Sequence, residues 1–218
     1  FDYYLLDKGE QPGLWIEIQT NQGQWRLEDR YPPEEMNTLA FDLGGSLMNI
    51  GGTTTILPNG VTGPVYETEP LEQDIWIAGL PRLHIDVTTA TVGGQIYALL
   101  EDCNENGSCI HIGHAIMDLR YHEGGTDEQT WLPIIETINA KMEFFTLDAQ
   151  ISAGHTIRLS LASTGEDYLP ASTSSVVSIQ EGADSNLLLD LIDPSEKLLF
   201  DPPTCTHAAC TDWINSTA

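Results

Sequence analysis

Ile151-Ser-Ala-Gly-His-Thr-Ile-Arg-Leu-Ser-Leu-Ala-Ser163 reads as a β-strand entered through a glycine turn. Ile157, Leu159 and Leu161 alternate with Thr156, Arg158 and Ser160, so one face is apolar and the other polar. A period of two sends successive side chains to opposite sides of a sheet. Gly154 stands just before the strand, where a tight turn favours a residue without Cβ.

Working outward, similar segments recur on both sides. Residues 14–20 and 24–27 flank Asn21-Gln22-Gly23 and predict a hairpin. Tyr31-Pro32-Pro33 is a rigid loop. Residues 38–43 form a strand stopped by Gly44-Gly45, and 47–64 form a long loop with at most one short strand. Further strands are expected at 65–68, 73–78, 82–88, 95–102, 110–119, 142–147 and 156–162, with weaker ones at 178–180 and 187–192. In the 73–78 segment Ile75 and Ile77 point one way and Trp76 the other. Only Phe1 to Lys8 reads as the end of a helix, stopped by Gly9. Short strands at fairly regular spacing predict an all-β fold, an antiparallel β-sandwich of jelly-roll type with a short N-terminal flank. The division is a flank and linker over 1–33, the sandwich over 34–192, and an irregular Cys-containing tail over 193–218.

The chain has 218 residues and 41% hydrophobic residues, enough for one large core. Its 33 acids against 8 bases give a net charge of −25. That balance argues against a nucleic-acid partner, whose phosphates need Lys and Arg, and against anionic membrane surfaces. No run of 18 apolar residues is present to span a membrane as a helix. The excess of acid fits either a strongly solvated surface or a saline setting, where salt screens self-repulsion. Phe1 carries neither an initiator Met nor a basic leader pattern, so the start reads as cut from something longer or processed.

Cys103 with Cys109, and Cys205 with Cys210, fall in two local pairs that suggest two small disulfide loops and a secreted or extracytoplasmic location; reduced thiols are the alternative. Asp102, Asn104 and Asn106 before Gly107 fit the first half of a calcium loop, but position twelve is Gly113 and not Glu. Asn106-Gly107 is equally a plain hairpin turn. Calcium therefore stands as a possible structural cofactor beside the expectation of none. Cys205, His207 and Cys210 supply three zinc-type ligands or a disulfide loop. His111 and His114 lie three apart, which on a regular strand puts them on opposite faces. His155 reads as a hydrogen-bonded structural histidine. Five tryptophans (Trp15, Trp25, Trp76, Trp131 and Trp213) form either core and interface anchors or a sugar-stacking platform, with Trp76 the best exposed candidate.

Several segments carry a resemblance in order. They are Phe1-Asp-Tyr-Tyr-Leu5, Trp25-Arg26 with Tyr31-Pro-Pro33, Glu69-Pro-Leu71 to Gly79, Arg82-Leu-His-Ile-Asp-Val87, Gln95 to Asp102, Gly113 to Tyr121, and the 151–163 strand. Together the chain resembles the C-terminal jelly-roll domain of the X-Pro dipeptidyl-peptidase and cocaine-esterase type serine hydrolases. The Cys103–Cys109 turn, the second Cys pair and the tail after Ile192 have no counterpart in that resemblance.

The resemblance implies a non-catalytic domain that packs on a preceding α/β-hydrolase domain and helps shape its pocket. Residues 1–33 would be the flank and linker from that domain. No catalytic residue can be placed on this chain: Gly44-Gly-Ser46 is followed by Leu47-Met48 and fails the Gly-x-Ser-x-Gly elbow. A carbohydrate-binding module on the same fold is the alternative, with carbohydrate as its partner. Phe1, Tyr3, Tyr4, Leu5 and Trp15 crowd one short segment and predict an apolar patch, covered by the hydrolase domain or by self-association into a homo-oligomer.

Overall fold

The computed structural model describes residues 5–6, 8, 16–44, 53–57, 63–123, 129–165, 167–170, 175–193 and 199–200. Fifteen strands are placed among them. They are β1 (Ile16–Gln19), β2 (Trp25–Glu28), β3 (Asn37–Leu43), β4 (Thr53–Ile56), β5 (Val65–Glu67), β6 (Ile75–Gly79), β7 (Arg82–Thr89) and β8 (Gln95–Cys103). After these come β9 (Cys109–Asp118), the 3₁₀ turn η1 (Leu119–Tyr121), β10 (Ile138–Glu143), β11 (Leu147–Ile151), β12 (Thr156–Ala162), β13 (Val177–Gln180), β14 (Gly182–Leu191) and β15 (Leu199–Phe200).

The strands build two facing sheets and a smaller third. The larger sheet runs β11-β6-β14-β7-β13-β4, with β10 added on β7 and β3 on β14. The smaller runs β5-β12-β8-β9. Each pairing of named strands is antiparallel. One apolar core lies between them. The larger sheet contributes Ile75, Ile77, Leu83, Ile85 and Val87, and the smaller Ile96, Ala98, Leu100, Ile157, Leu159 and Leu161. The 151–163 segment takes the predicted form: β12 alternates buried Ile157, Leu159 and Leu161 with half-buried Thr156, Arg158 and Ser160. Gly154 sits at φ +82° in its entry turn.

Three expectations are corrected. The strand expected at 142–147 is the end of β10 and the first residue of β11, broken at Phe144 to Thr146. The sequence hid β11 because its inward positions are small or few: Leu147, Ala149 and Ile151. The tail is not wholly irregular, since β15 adds to β2. Trp76 points away from Ile75 and Ile77 as alternation requires, yet it is 1% exposed. It packs with Ala78, Ile192 and Met36 in a second apolar cluster. The cause is the third sheet, β1-β2-β15, whose Arg26 guanidinium lies 4.9 Å from the Trp76 ring centroid.

Candidate functional site

The anchor between the N-terminal hairpin and the sandwich is a buried ionic cluster. Arg26 is fully buried at the middle of β2. Its Nε donates to Glu28 Oε1 at 2.8 Å, and its Nη1 donates to Asp148 Oδ2 on β11. Asp148 Oδ1 accepts from Trp76 Nε1 at 3.0 Å. Burial opposes the charge on Arg26, but Asp148 and Glu28 outweigh it and hold the guanidinium pKa above its ordinary value. Asn21 on the hairpin turn completes the join: its amide group donates to the Gln150 carbonyl at 3.0 Å and accepts from the Gln150 amide at 2.9 Å.

Tyr31 adds a second tie. Its hydroxyl donates to the Leu147 carbonyl at 2.6 Å and accepts from the Gly79 amide at 2.8 Å. Burial, then the nearby Asp148 charge, pushes its pKa up to about 12. The folded chain therefore keeps the phenolic proton above pH 10, where an unfolded tyrosine has lost it. Stability is full below pH 10 and falls as pH rises from 10 towards 12. The expected loss over that window is about 2 kcal/mol, at 1.36 kcal/mol per pKa unit. Urea unfolding at pH 9 and pH 11.5 measures it. Tyr31→Phe should flatten this part of the alkaline dependence, at a cost of about 1–2 kcal/mol at neutral pH from the two unpaired backbone groups.

At the far end of the small sheet, Cys103 and Cys109 form the expected disulfide across the β8–β9 turn. Asn104 Oδ1 accepts from the Asn106 and Ser108 amides at 3.0 and 3.1 Å. Asp102 is buried and accepts from His155 Nδ1 at 2.6 Å. The oxygens proposed for calcium are thus committed to different partners: Asn104 caps its own turn, and Asp102 ties β8 to the start of β12. The segment folds as a hairpin turn, with Asn104 and Asp102 both engaged by donors of the chain itself. Among the described residues no group of three His, Cys, Asp or Glu side chains is disposed to hold a metal. Cys205, His207, Cys210, Trp15 and Trp213 lie outside the described residues.

His111 and His114 contradict the expectation for a regular strand. The β8–β9 register runs Leu100↔Gly113 and then Glu101↔His111, so Ile112 is an extra residue in β9. A bulge of one residue reverses the parity of the strand beyond it. The two histidines come to one face, with His114 Nδ1 3.2 Å from His111 Nε2. Tyr97, Tyr168 and Phe145 surround the His114 ring at centroid distances of 5.0 to 5.9 Å.

Two other surfaces stand out. A cleft of about 640 Å³ is lined by Arg82, His84, Asp118, His122, Lys141 and Glu143, among others. His84 lies below its ordinary pKa there, from burial first and then from the Lys141 and Arg82 charges. The second surface is the loop after η1. Leu132 is buried, while Trp131 is 61%, Ile134 52% and Ile135 80% exposed, with Val92 beside them at 38%. The Leu132 amide donates to the Val92 carbonyl, and the Ile135 amide to the Thr89 carbonyl. Ile135 has φ +65°, a left-handed backbone that costs a β-branched residue about 1–3 kcal/mol. Trp131, Ile134 and Ile135 thus form an exposed apolar surface, with the Arg120 guanidinium 5.8 Å from the Trp131 ring centroid.

Residues 8–185 match the family described as the X-Pro dipeptidyl-peptidase C-terminal non-catalytic domain. The chain belongs to that family. No curated protein matches it. Among solved structures, a CocE/NonD family hydrolase from Staphylococcus aureus is similar at 12% identity and TM-score 0.72, over 88% of this chain and 44% of that one. An aminopeptidase from a marine sediment archaeon, Thaumarchaeota archaeon, is similar at 12% identity and TM-score 0.69, over 88% and 42%. An α-amino acid ester hydrolase is similar at 14% identity and TM-score 0.53, over 85% and 37%. The chain spans less than half the length of those hydrolases, and the likeness to them is one of fold. Within Trp25-Arg26 and Tyr31-Pro32, Arg26 and Tyr31 supply the buried anchor on β6 and β11. Sequence reasoning singled out these residues but missed Asp148, whose strand was not recognised.

Proposed function

We propose that this chain is the C-terminal accessory domain of a serine hydrolase that cleaves a peptide, amide or ester bond, and that it packs on the α/β-hydrolase domain of the same protein. The observation that carries the reading is the family match over residues 8–185, to a domain described as non-catalytic. It is supported by the missing nucleophile elbow and by the length of the similar hydrolases, of which the chain covers 44% or less. The Trp131–Ile135 surface is the contact we assign to the catalytic domain. Exposed Leu5, Leu6, Ile16 and Leu27 on the N-terminal flank lie where a preceding domain would join, and favour self-association when that domain is absent. The Cys103–Cys109 disulfide supports an extracytoplasmic location, and the acidic surface is compatible with a saline one. The sugar-binding reading loses its best platform residue with the burial of Trp76.

The test uses the chain alone and the longer protein that encodes it. The separated chain should give no turnover of X-Pro amides or chromogenic esters, while the longer protein should give clear turnover. Trp131→Ala with Ile135→Asp should lower that turnover at least tenfold and leave the thermal unfolding of the separated chain unchanged. Turnover by the chain alone, or no hydrolase domain encoded upstream, overturns the proposal.

A further inference from the structure

The bulge in β9 does more than bend a strand. It brings two imidazoles from opposite expected faces to one solvent-facing spot, with His111 Nε2 and His114 Nδ1 3.2 Å apart. Two nitrogens bound to one metal at about 2.0–2.1 Å, with a tetrahedral angle, lie about 3.3 Å apart. The pair already stands at that separation. His114 is also held by its other nitrogen: Nε2 is 2.8 Å from the Tyr168 hydroxyl, the kind of outer partner that fixes a metal-ligating ring and its tautomer. The Phe145 edge and the Tyr97 ring close two further sides of the imidazole.

We propose that His111 and His114 form a binding site for one divalent transition-metal ion of the imidazole-preferring kind, such as Cu²⁺, Ni²⁺ or Zn²⁺, with water filling the remaining positions. Imidazole ligands suit these ions, and Cu²⁺ binds most tightly of the three by the general order of divalent affinities. His111 Nε2 and His114 Nδ1 are the donors, and the Tyr168 hydroxyl is the outer partner. The His114 ring is partly buried, beside the exposed His111. The charge of Asp167 acts on the same ring and favours a nearby cation. The acidic protein as a whole, at net charge −25, raises the local concentration of cations.

The probes are copper(II), nickel(II) and zinc(II) chloride, titrated into the full chain and into variants. Calorimetry gives stoichiometry, and electron paramagnetic resonance of the copper form reads nitrogen coordination directly. The native chain should show a copper signal with two imidazole nitrogens. His111→Ala, at an exposed position, should lose one bound ion and that two-nitrogen signature while keeping its unfolding temperature without metal. Tyr168→Phe should keep the stoichiometry and weaken binding about tenfold, the lower end for loss of an outer partner. His122→Ala, outside the pair, should change nothing. Unchanged stoichiometry and spectrum in His111→Ala would assign any bound metal elsewhere and overturn the site. An absence of two-nitrogen coordination in the native chain overturns it equally, and leaves the 3.2 Å contact as a hydrogen bond between the two rings.

Discussion

Arg26→Ala should destabilise the chain by about 3–5 kcal/mol, the range for removing one partner from a buried ion pair. The physical reason is what remains. Glu28 and Asp148 are both more than nine-tenths buried on the side-chain scale, and both lose their cation. Trp76 loses the guanidinium that covers its face. For a domain of this size the loss corresponds to about 6–20 °C in Tm. Arg26→Lys should recover only part of it, because one ammonium cannot reproduce a planar fork that serves Glu28 and Asp148 together. Denaturant unfolding of the three proteins measures the series. A loss under 1 kcal/mol for the alanine variant would mean that the hairpin does not depend on this anchor.

Leu159→Ala should cost about 2–5 kcal/mol, through lost burial plus the cavity left between the sheets. Leu159 is 2% exposed in the middle of β12, flanked by β5 and β8. The neighbouring change Ser160→Ala lies on the opposite face and should stay within about 0.5 kcal/mol. Two adjacent residues with such different costs are the energetic signature of a period-two strand with one buried face. Equal effects at the two positions would contradict the packing of β12.

The sandwich was legible because its signal is local and repeated. In β7, Leu83, Ile85 and Val87 alternate with Arg82, His84 and Asp86, and the structure buries the first set fully. In β8, Ile96, Ala98 and Leu100 do the same. The turn chemistry was equally plain: Gly23, Gly107 and Gly154 all have positive φ, next to the turns their residue type announced. β11 was less legible, because Leu147, Ala149 and Ile151 carry a weak apolar pattern. With β11 went Asp148, and with Asp148 the whole anchor. Nothing near Arg26 in the sequence names a partner 122 residues away.

By itself the sequence determined the class of fold, since alternation and turn residues act at short spacing, and it carried the resemblance to the family in the order of its segments; it suggested the disulfide across the β8–β9 turn, which the structure forms. It also excluded a nucleophile elbow from the chain. Tertiary structure alone decided three things. It covered Trp76 with a third sheet, because alternation gives the face of a residue but not what lies over that face. It joined His111 to His114, because one bulged residue reverses strand parity and leaves no mark in hydropathy. It put Trp131, Ile134 and Ile135 into solvent around a buried Leu132, because four apolar side chains in one short loop cannot all reach a single core.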